Sequence, residues 1–318
     1  MKPVDQSHER EKYRRLIEKA TAASAISVAV VHPCDEVSLG GALEAARLGL
    51  IKPILVGPQA RIRETAAQTG VDISGVDIRD APHSHAAAEI AVEMVRKGEV
   101  EAIMKGSLHT DEVMSAVVSR ERGIRTERRI SHCFIMDVPS HADVLIITDA
   151  AVNIAPSLKA KVDIVRNAID LAHALETKEV RVAILSAMET VNPDVPSTLE
   201  AAALCKMADR GQIAGALVDG PLALDNAISP EAVALKKIVS PVAGRANVLM
   251  VPDLEAGNML AKSLSFLAGA DSAGIVLGAK VPIILTSRAD SREARLASCA
   301  VANLYAAVRR RQAAQTLR

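Results

Sequence analysis

The sequence predicts an α/β protein, with a parallel or mostly parallel sheet covered by helices on both faces. Three observations carry this. Short β-branched runs alternate with longer helix-periodic stretches along the whole chain. The runs are short and rich in Val and Ile, as expected of a parallel or mostly parallel sheet covered on both faces. The 318 residues are 49% hydrophobic and 24% charged, which is enough apolar material for the cores of one or two ordinary globular domains.

Strands are expected over 26–31, 54–56, 102–104, 132–137, 144–148, 182–186, 215–219, 248–251, 273–277 and 282–286. Helices are expected over 36–48, 85–97, 111–120, 158–175, 197–210, 230–238, 255–268 and 292–311. Ser197 with Glu200 reads as a capping box at the start of its helix. Arg309, Arg310 and Arg311 suit the negative end of the terminal helix dipole. The segment 138–142 is too short for a helical crossover, so the strands on either side of it are expected to be antiparallel. Such a break marks a change of domain. The expected division is a first α/β domain of 1–130 plus 287–318 and a second of 131–286.

Composition excludes several classes of function. Lys plus Arg and Asp plus Glu both number 38, so no net field draws the chain to nucleic acid or anionic lipid, and any bound anion needs a local site. There is no Trp, and Tyr13, Tyr305, Phe134 and Phe266 are the aromatics, too few for base-stacking platforms. Residues 1–15 are charged and lack the apolar segment of a secretory signal, and the uncharged run 20–34 is too short to span a bilayer. A cytoplasmic protein without a membrane partner is expected. Cys34, Cys133, Cys205 and Cys299 form no CxxC pair, so buried, reduced thiols are expected rather than a zinc ribbon or redox motif. No metal site is expected, because His83 and His85 at i and i+2 of a helix point to different faces.

Chemistry is concentrated in a few turns. Met104-Lys105-Gly106-Ser107-Leu108-His109-Thr110 runs from a strand through a glycine turn into a helix start. The Lys105 ammonium, the Ser107 and Thr110 hydroxyls and unpaired amides there suit a phosphate or carboxylate. The spacing is not that of a Walker loop, and plain helix capping by Ser107 or Thr110 remains open. Thr286-Ser287-Arg288-Ala289-Asp290-Ser291 follows the last strand, where open α/β sheets place ligands. A hydroxyl, a guanidinium and a carboxylate lie within it: Arg288 to hold an oxyanion, Ser287 to hydrogen-bond, Asp290 to accept a proton. The plainer alternative is that Asp290 or Ser291 caps the terminal helix while Arg288 pairs at the surface. Three more loops, 218–225, 240–247 and 252–258, are rich in Gly, Pro, Asn and Asp. Arg120, Arg122, Arg125, Arg128 and Arg129 form a basic cluster, read either as a solvated surface or as the mouth of an anion site.

Together these stretches resemble the phosphate acetyl/butyryl transferase family. The resemblance rests on Asp219-Gly220-Pro221-Leu222, on the run from Ser240 to Ala246, and on Pro252-Asp253-Leu254 with Ala256-Gly257-Asn258. Leu285-Thr286-Ser287-Arg288 follows in the family order, and Gly106 with His109-Thr110 and the run Thr148 to Ile154 match earlier turns. The resemblance implies an isocitrate dehydrogenase-like two-domain fold, an active site in the interdomain cleft and a homodimer. It implies acyl transfer between coenzyme A and inorganic phosphate, with acyl-CoA as substrate and no tightly bound cofactor. Phosphate is assigned to Lys105, Gly106, Ser107, His109 and Thr110, and the acyl-CoA side to Asp219, Gly220, Pro221, Asp253, Gly257 and Asn258. Catalysis is assigned to Ser287 and Arg288 through the resemblance, and to Asp290 as the nearest carboxylate in the same turn. Acetyl transfer is the first expectation, with butyryl transfer as the alternative because Lys105-Gly106, 150–156 and 285–291 resemble the butyryl branch. Ala116 and Ala294 stand where the acetyl branch carries an Arg and an Asp. A non-catalytic coenzyme A-binding protein is a further alternative. A nicotinamide-dependent oxidoreductase is disfavoured, since there is no GxGxxG and no Asp cluster with metal spacing.

Overall fold

A computed structural model describes residues 11–286 and 290–316. In chain order the elements are α1 (Glu11–Thr21), β1 (Ile26–Val31), α2 (Glu36–Arg47), β2 (Ile51–Gly57), α3 (Gln59–Thr69) and β3 (Ile78–Asp80). Then come α4 (Ser84–Lys97), β4 (Ala102–Lys105), α5 (Thr110–Val118), β5 (Ser131–Asp137), β6 (Leu145–Thr148) and α6 (Leu158–Ala174). They continue with β7 (Arg181–Leu185), α7 (Pro196–Asp209), β8 (Leu217–Leu222), α8 (Leu224–Ile228) and α9 (Pro230–Lys236). The last are β9 (Val248–Met250), α10 (Leu254–Leu267), β10 (Asp271–Leu277), β11 (Ile283–Ile284) and α11 (Arg292–Thr316).

Two compact units result. One is Arg129–Ser272; the other joins residues 11–128 with 273–286 and 290–316. In the latter the strand order is β3-β2-β1-β4-β11-β10, parallel except where β10 runs against β11. Ile26 and Val28 to Val31 of β1 are fully buried and half-buried Ser27 is its one polar residue, which is why this strand reads as a nearly continuous apolar run. Residues 273–286, expected with the second domain, lie in this unit because β11 pairs with β4 at Ile283↔Ile103 and Ile284↔Met104. Its terminal helix α11 packs against α1, and the Tyr13 hydroxyl accepts the Ala273 N–H at 2.6 Å.

In Arg129–Ser272 the order is β5-β6-β9-β7-β8, with β5 antiparallel to β6 as the short link requires and the others parallel. Met136, Ile147, Ala183, Leu249 and Val251 belong to its core.

Several local expectations are corrected. β8 covers 217–222 rather than 215–219, taking in Gly220 and Pro221; it is the terminal strand of its order, where a missing N–H is tolerated. The expected capping box fails. Val195 is the N-cap of α7, Ser197 Oγ bonds Ser186 Oγ at 2.8 Å, and Glu200 instead pairs with Lys161 at 2.5 Å. Helix α11 continues to Thr316, so the Arg309–311 triplet does not close it.

Candidate active site

The first candidate turn sits where β1 and β4, parallel neighbours, both reach their carboxyl ends. The backbones come close enough there that a Cβ on Gly106 would lie 2.4 Å from Val31 O and 2.9 Å from His32 O. Only glycine fits this approach. The contact is sealed by Gly106 N–H to Val31 O at 2.9 Å, Ser107 N–H to His32 O at 2.9 Å and the His32 ring Nδ1 to Ser107 O at 3.0 Å. Lys105, half-buried at the end of β4, donates from Nζ to Gly106 O at 3.3 Å and Thr286 O at 3.5 Å.

The helix start at α5 is capped by its own third residue. Glu112 Oε1 accepts the His109 N–H at 3.0 Å, and Oε2 takes the Ser84 hydroxyl and faces His85 Nε2 at 3.5 Å. The Ser84 and His109 bonds hold the Glu112 carboxyl below its ordinary range. Of the turn's amides, those of Gly106, Ser107 and His109 thus serve the fold, whereas those of Leu108, Thr110 and Asp111 have no partner among the described residues. Thr110 and His109 are exposed, Ser107 is half-buried. The capping alternative for Ser107 and Thr110 is therefore not what closes this helix; Glu112 does that.

Ser287 and Arg288, central to the sequence reading, lie outside the described residues. Their flanks are placed. Thr286 reaches Lys105 as above, and the Asp290 carbonyl accepts from Arg295 Nη1 at 2.5 Å. Ser291 Oγ accepts the Ala294 N–H at 3.1 Å, so Ser291 is the residue whose side chain caps α11. Ala294 is buried.

The second unit presents the other loops. Between β6 and α6, Asp149 is 1% exposed and gathers the following turn. Its Oδ1 accepts the Ala151 and Val152 amides, each at 3.0 Å, and its Oδ2 accepts Asn153 N–H at 3.2 Å and Nδ2 at 2.6 Å. Asn153 in turn donates to Ile130 O at 2.9 Å and accepts Arg129 Nε at 2.6 Å, which draws one member of the basic cluster into the fold. Beside this turn, at the carboxyl end of β9, Asp253 caps α10 by accepting the Ala256 N–H at 2.8 Å. A Cβ on Gly257 would lie 2.9 Å from Ala150 Cβ, and Asn258 Nδ2 donates to Ala150 O at 3.4 Å. The structure so brings Gly257 and Asn258 onto the Asp149 turn. Asp219, Gly220 and Pro221 lie within β8, where Asp219 Oδ1 accepts the Gly220 N–H at 2.9 Å and Cys205 Sγ donates to Gly220 O at 3.4 Å. Burial pushes the Cys205 thiol up to about 12.

His132 on β5 is nearly fully buried, edge-on to Phe134 with ring centroids 4.3 Å apart. Burial lowers its pKa from 6.5 to about 4, against the opposing pull of Asp149. A depressed pKa means that the unfolded chain binds the proton first. The contribution of His132 is then fully present above pH 6.5 and is lost as pH falls toward 4. Urea titrations at pH 7, 5.5 and 4.5 are expected to show falling stability in this window, and His132→Gln to flatten the dependence; an unchanged slope in that variant removes His132 as its source.

Sequence reasoning missed His32, whose backbone is left-handed with φ 53°, and Asp149 as an organiser; the second lay inside a quoted run, the first had no local signal. A cavity of 520 Å³ between α4 and α5 is lined by Ala116 with Ser115, Glu112 and Arg122. Among the described residues no cluster of three His, Cys, Asp or Glu is placed to hold a metal ion, and no helix is long and apolar enough to cross a membrane.

Comparison with known proteins adds a family. A family model for Phosphate acetyl/butaryl transferase matches residues 84–303. The phosphate acetyltransferase of Rhizobium meliloti is 64% identical over 304 residues, covering 96% of both chains. The phosphate butyryltransferase of Clostridium acetobutylicum is 39% identical over 92% of this chain and 98% of its own. A branched-chain phosphotransacylase structure from Enterococcus faecalis superposes with a TM-score of 0.77 at 29% identity, covering 88% of this chain and 99% of that one.

Proposed function

Because the chain belongs to the phosphate acetyl/butyryl transferase family, we propose that it exchanges an acetyl group between coenzyme A and inorganic phosphate, acetyl-CoA and phosphate giving acetyl phosphate and free coenzyme A. The acetyl reading is favoured over the butyryl one by the higher identity to the acetyltransferase relative than to the butyryltransferase. The observation that carries the site is the approach of Lys105 Nζ to the carbonyl of Thr286 at 3.5 Å. It brings Thr286, the residue before Ser287, to the glycine turn of β4.

The chemistry follows from these groups. A phosphate oxygen attacks the thioester carbonyl, a tetrahedral oxyanion forms, the C–S bond breaks, and the sulfur leaves as thiolate that takes up a proton. In reverse, a thiol with an ordinary pKa of about 8.5 is a few per cent ionised at neutral pH, so a base or a nearby cation speeds its attack. We assign the proton acceptor to Asp290, neutralisation of phosphate and developing charge to Arg288, and a hydrogen bond to the sulfur to Ser287. Lys105, Gly106, Ser107, His109 and Thr110 orient phosphate, with the amides of Leu108 and Thr110, which have no partner among the described residues, as donors. Asp219, Gly220, Pro221, Asp253, Gly257 and Asn258 serve acyl-CoA. Asp253 Oδ1 accepts the helix-cap N–H, which leaves Oδ2 to accept from substrate. A cytoplasmic homodimer with no tightly bound cofactor completes the proposal.

The test is phosphate-dependent release of thiol from acetyl-, propionyl- and butyryl-CoA. Highest kcat/KM with acetyl-CoA is expected; a higher value with butyryl-CoA reassigns the substrate, and no turnover with any of them leaves a binding protein. Arg288→Ala is expected to lose at least about tenfold in kcat/KM, or about 1.4 kcal/mol of transition-state stabilisation. Unchanged kinetics in the folded variant take Arg288 out of the site.

A further inference from the structure

His32 adopts a conformation that its residue type and its neighbour both disfavour. Its φ is 53°, in the region that suits glycine, and Pro33 follows it, which restricts it further. Such backbones persist where the surroundings over-determine them, and they cluster at functional sites. Here four hydrogen bonds do so. The His32 N–H donates to Val56 O at 2.6 Å, and its carbonyl accepts from Cys34 at 2.8 Å and from Ser107 at 2.9 Å. The ring returns the contact, 3.0 Å from Nδ1 to Ser107 O. A carbonyl only accepts, so Nδ1 carries the proton. His32 is 7% exposed, and Ser107 is therefore gripped at both its N–H and its carbonyl by one buried residue 75 positions earlier in the chain.

We propose that His32 is a positioning residue for phosphate: its left-handed backbone and ring Nδ1–H set the direction of the Lys105–Thr110 turn. The inference rests on the reading of that turn as the phosphate site. Because the grip is on the turn and not on acyl-CoA, its loss raises the KM for phosphate and leaves the KM for acetyl-CoA unmoved.

Three substitutions separate positioning from stability. His32→Gly relieves the backbone and removes the ring donor; His32→Ala removes the donor and keeps the strain; His32→Asn tolerates the left-handed region and retains an amide donor. The KM for phosphate is expected to rise at least about tenfold in the Gly and Ala variants, with the KM for acetyl-CoA within about threefold. Melting temperature is expected to be higher for Gly than for Ala. The Asn variant is expected to bring the phosphate KM back to within about threefold of the parent. A Gly variant with the parental phosphate KM overturns the proposal, since backbone strain alone then accounts for His32. If the Ala variant does not fold, the Gly and Asn pair decides. Lys105→Ala is the control: a raised phosphate KM there beside an unaffected Gly variant sinks only the role of His32, whereas no change in either removes the phosphate turn and the proposal with it.

Discussion

Asp149→Ala is expected to lower the stability of the unit formed by Arg129–Ser272 by about 4 kcal/mol, the range seen when a buried charge that satisfies several donors is removed. The carboxylate accepts three consecutive amides and the Asn153 side chain while almost wholly out of contact with solvent. Alanine leaves these donors without their acceptor. In a unit of this size the loss corresponds to a fall in melting temperature of about 10 °C. Asp149→Asn is expected to recover less than half of it, because an amide NH2 in the place of Oδ2 faces the two Asn153 donors. Urea denaturation followed by circular dichroism measures both. A loss under about 1 kcal/mol for the alanine variant means that the turn is held by its packing against Gly257 rather than by the carboxylate.

Gly106→Ala is expected to remove at least about a hundredfold of kcat/KM while the protein stays folded, since a displacement of about 1 Å in a positioned group costs on that order. The added methyl meets Val31 O at 2.4 Å and the His32 carbonyl at 2.9 Å, both backbone atoms with no rotamer to escape into. Relief requires the carboxyl ends of β1 and β4 to part, which breaks the Ser107–His32 contacts and moves Lys105. Thermal melts with steady-state kinetics test this. Activity within about threefold of the parent places the phosphate elsewhere.

Much of the architecture was legible. β1 is legible to the residue because Ile26 and Val28 to Val31 form an apolar, buried run broken only by Ser27, and the antiparallel β5–β6 pair follows from the length of its link. Helices α1 and α3 were not: α1 buries only Tyr13, Leu16 and Ala20 within a highly charged stretch, and α3 only Ile62 and Ala66, so their periodicity is thin. Ser197 and Glu200 had the spacing of a capping box, yet Pro196 starts that helix and Lys161, far along the chain, claims the glutamate. Local propensity lost to tertiary contact at that point.

The turns themselves are written in the chain: a glycine and a lysine at the end of a strand, hydroxyls before a helix, and loop motifs that name a family are local patterns, and local patterns need no fold to be read. What brings Thr286 to Lys105, forces His32 into the left-handed region and makes Gly106 obligatory is the pairing of β1, β4 and β11, strands drawn from both ends of the chain. Backbone proximity between distant segments is a property of the assembled sheet. No window of neighbouring residues contains it, and so only the tertiary structure decides it.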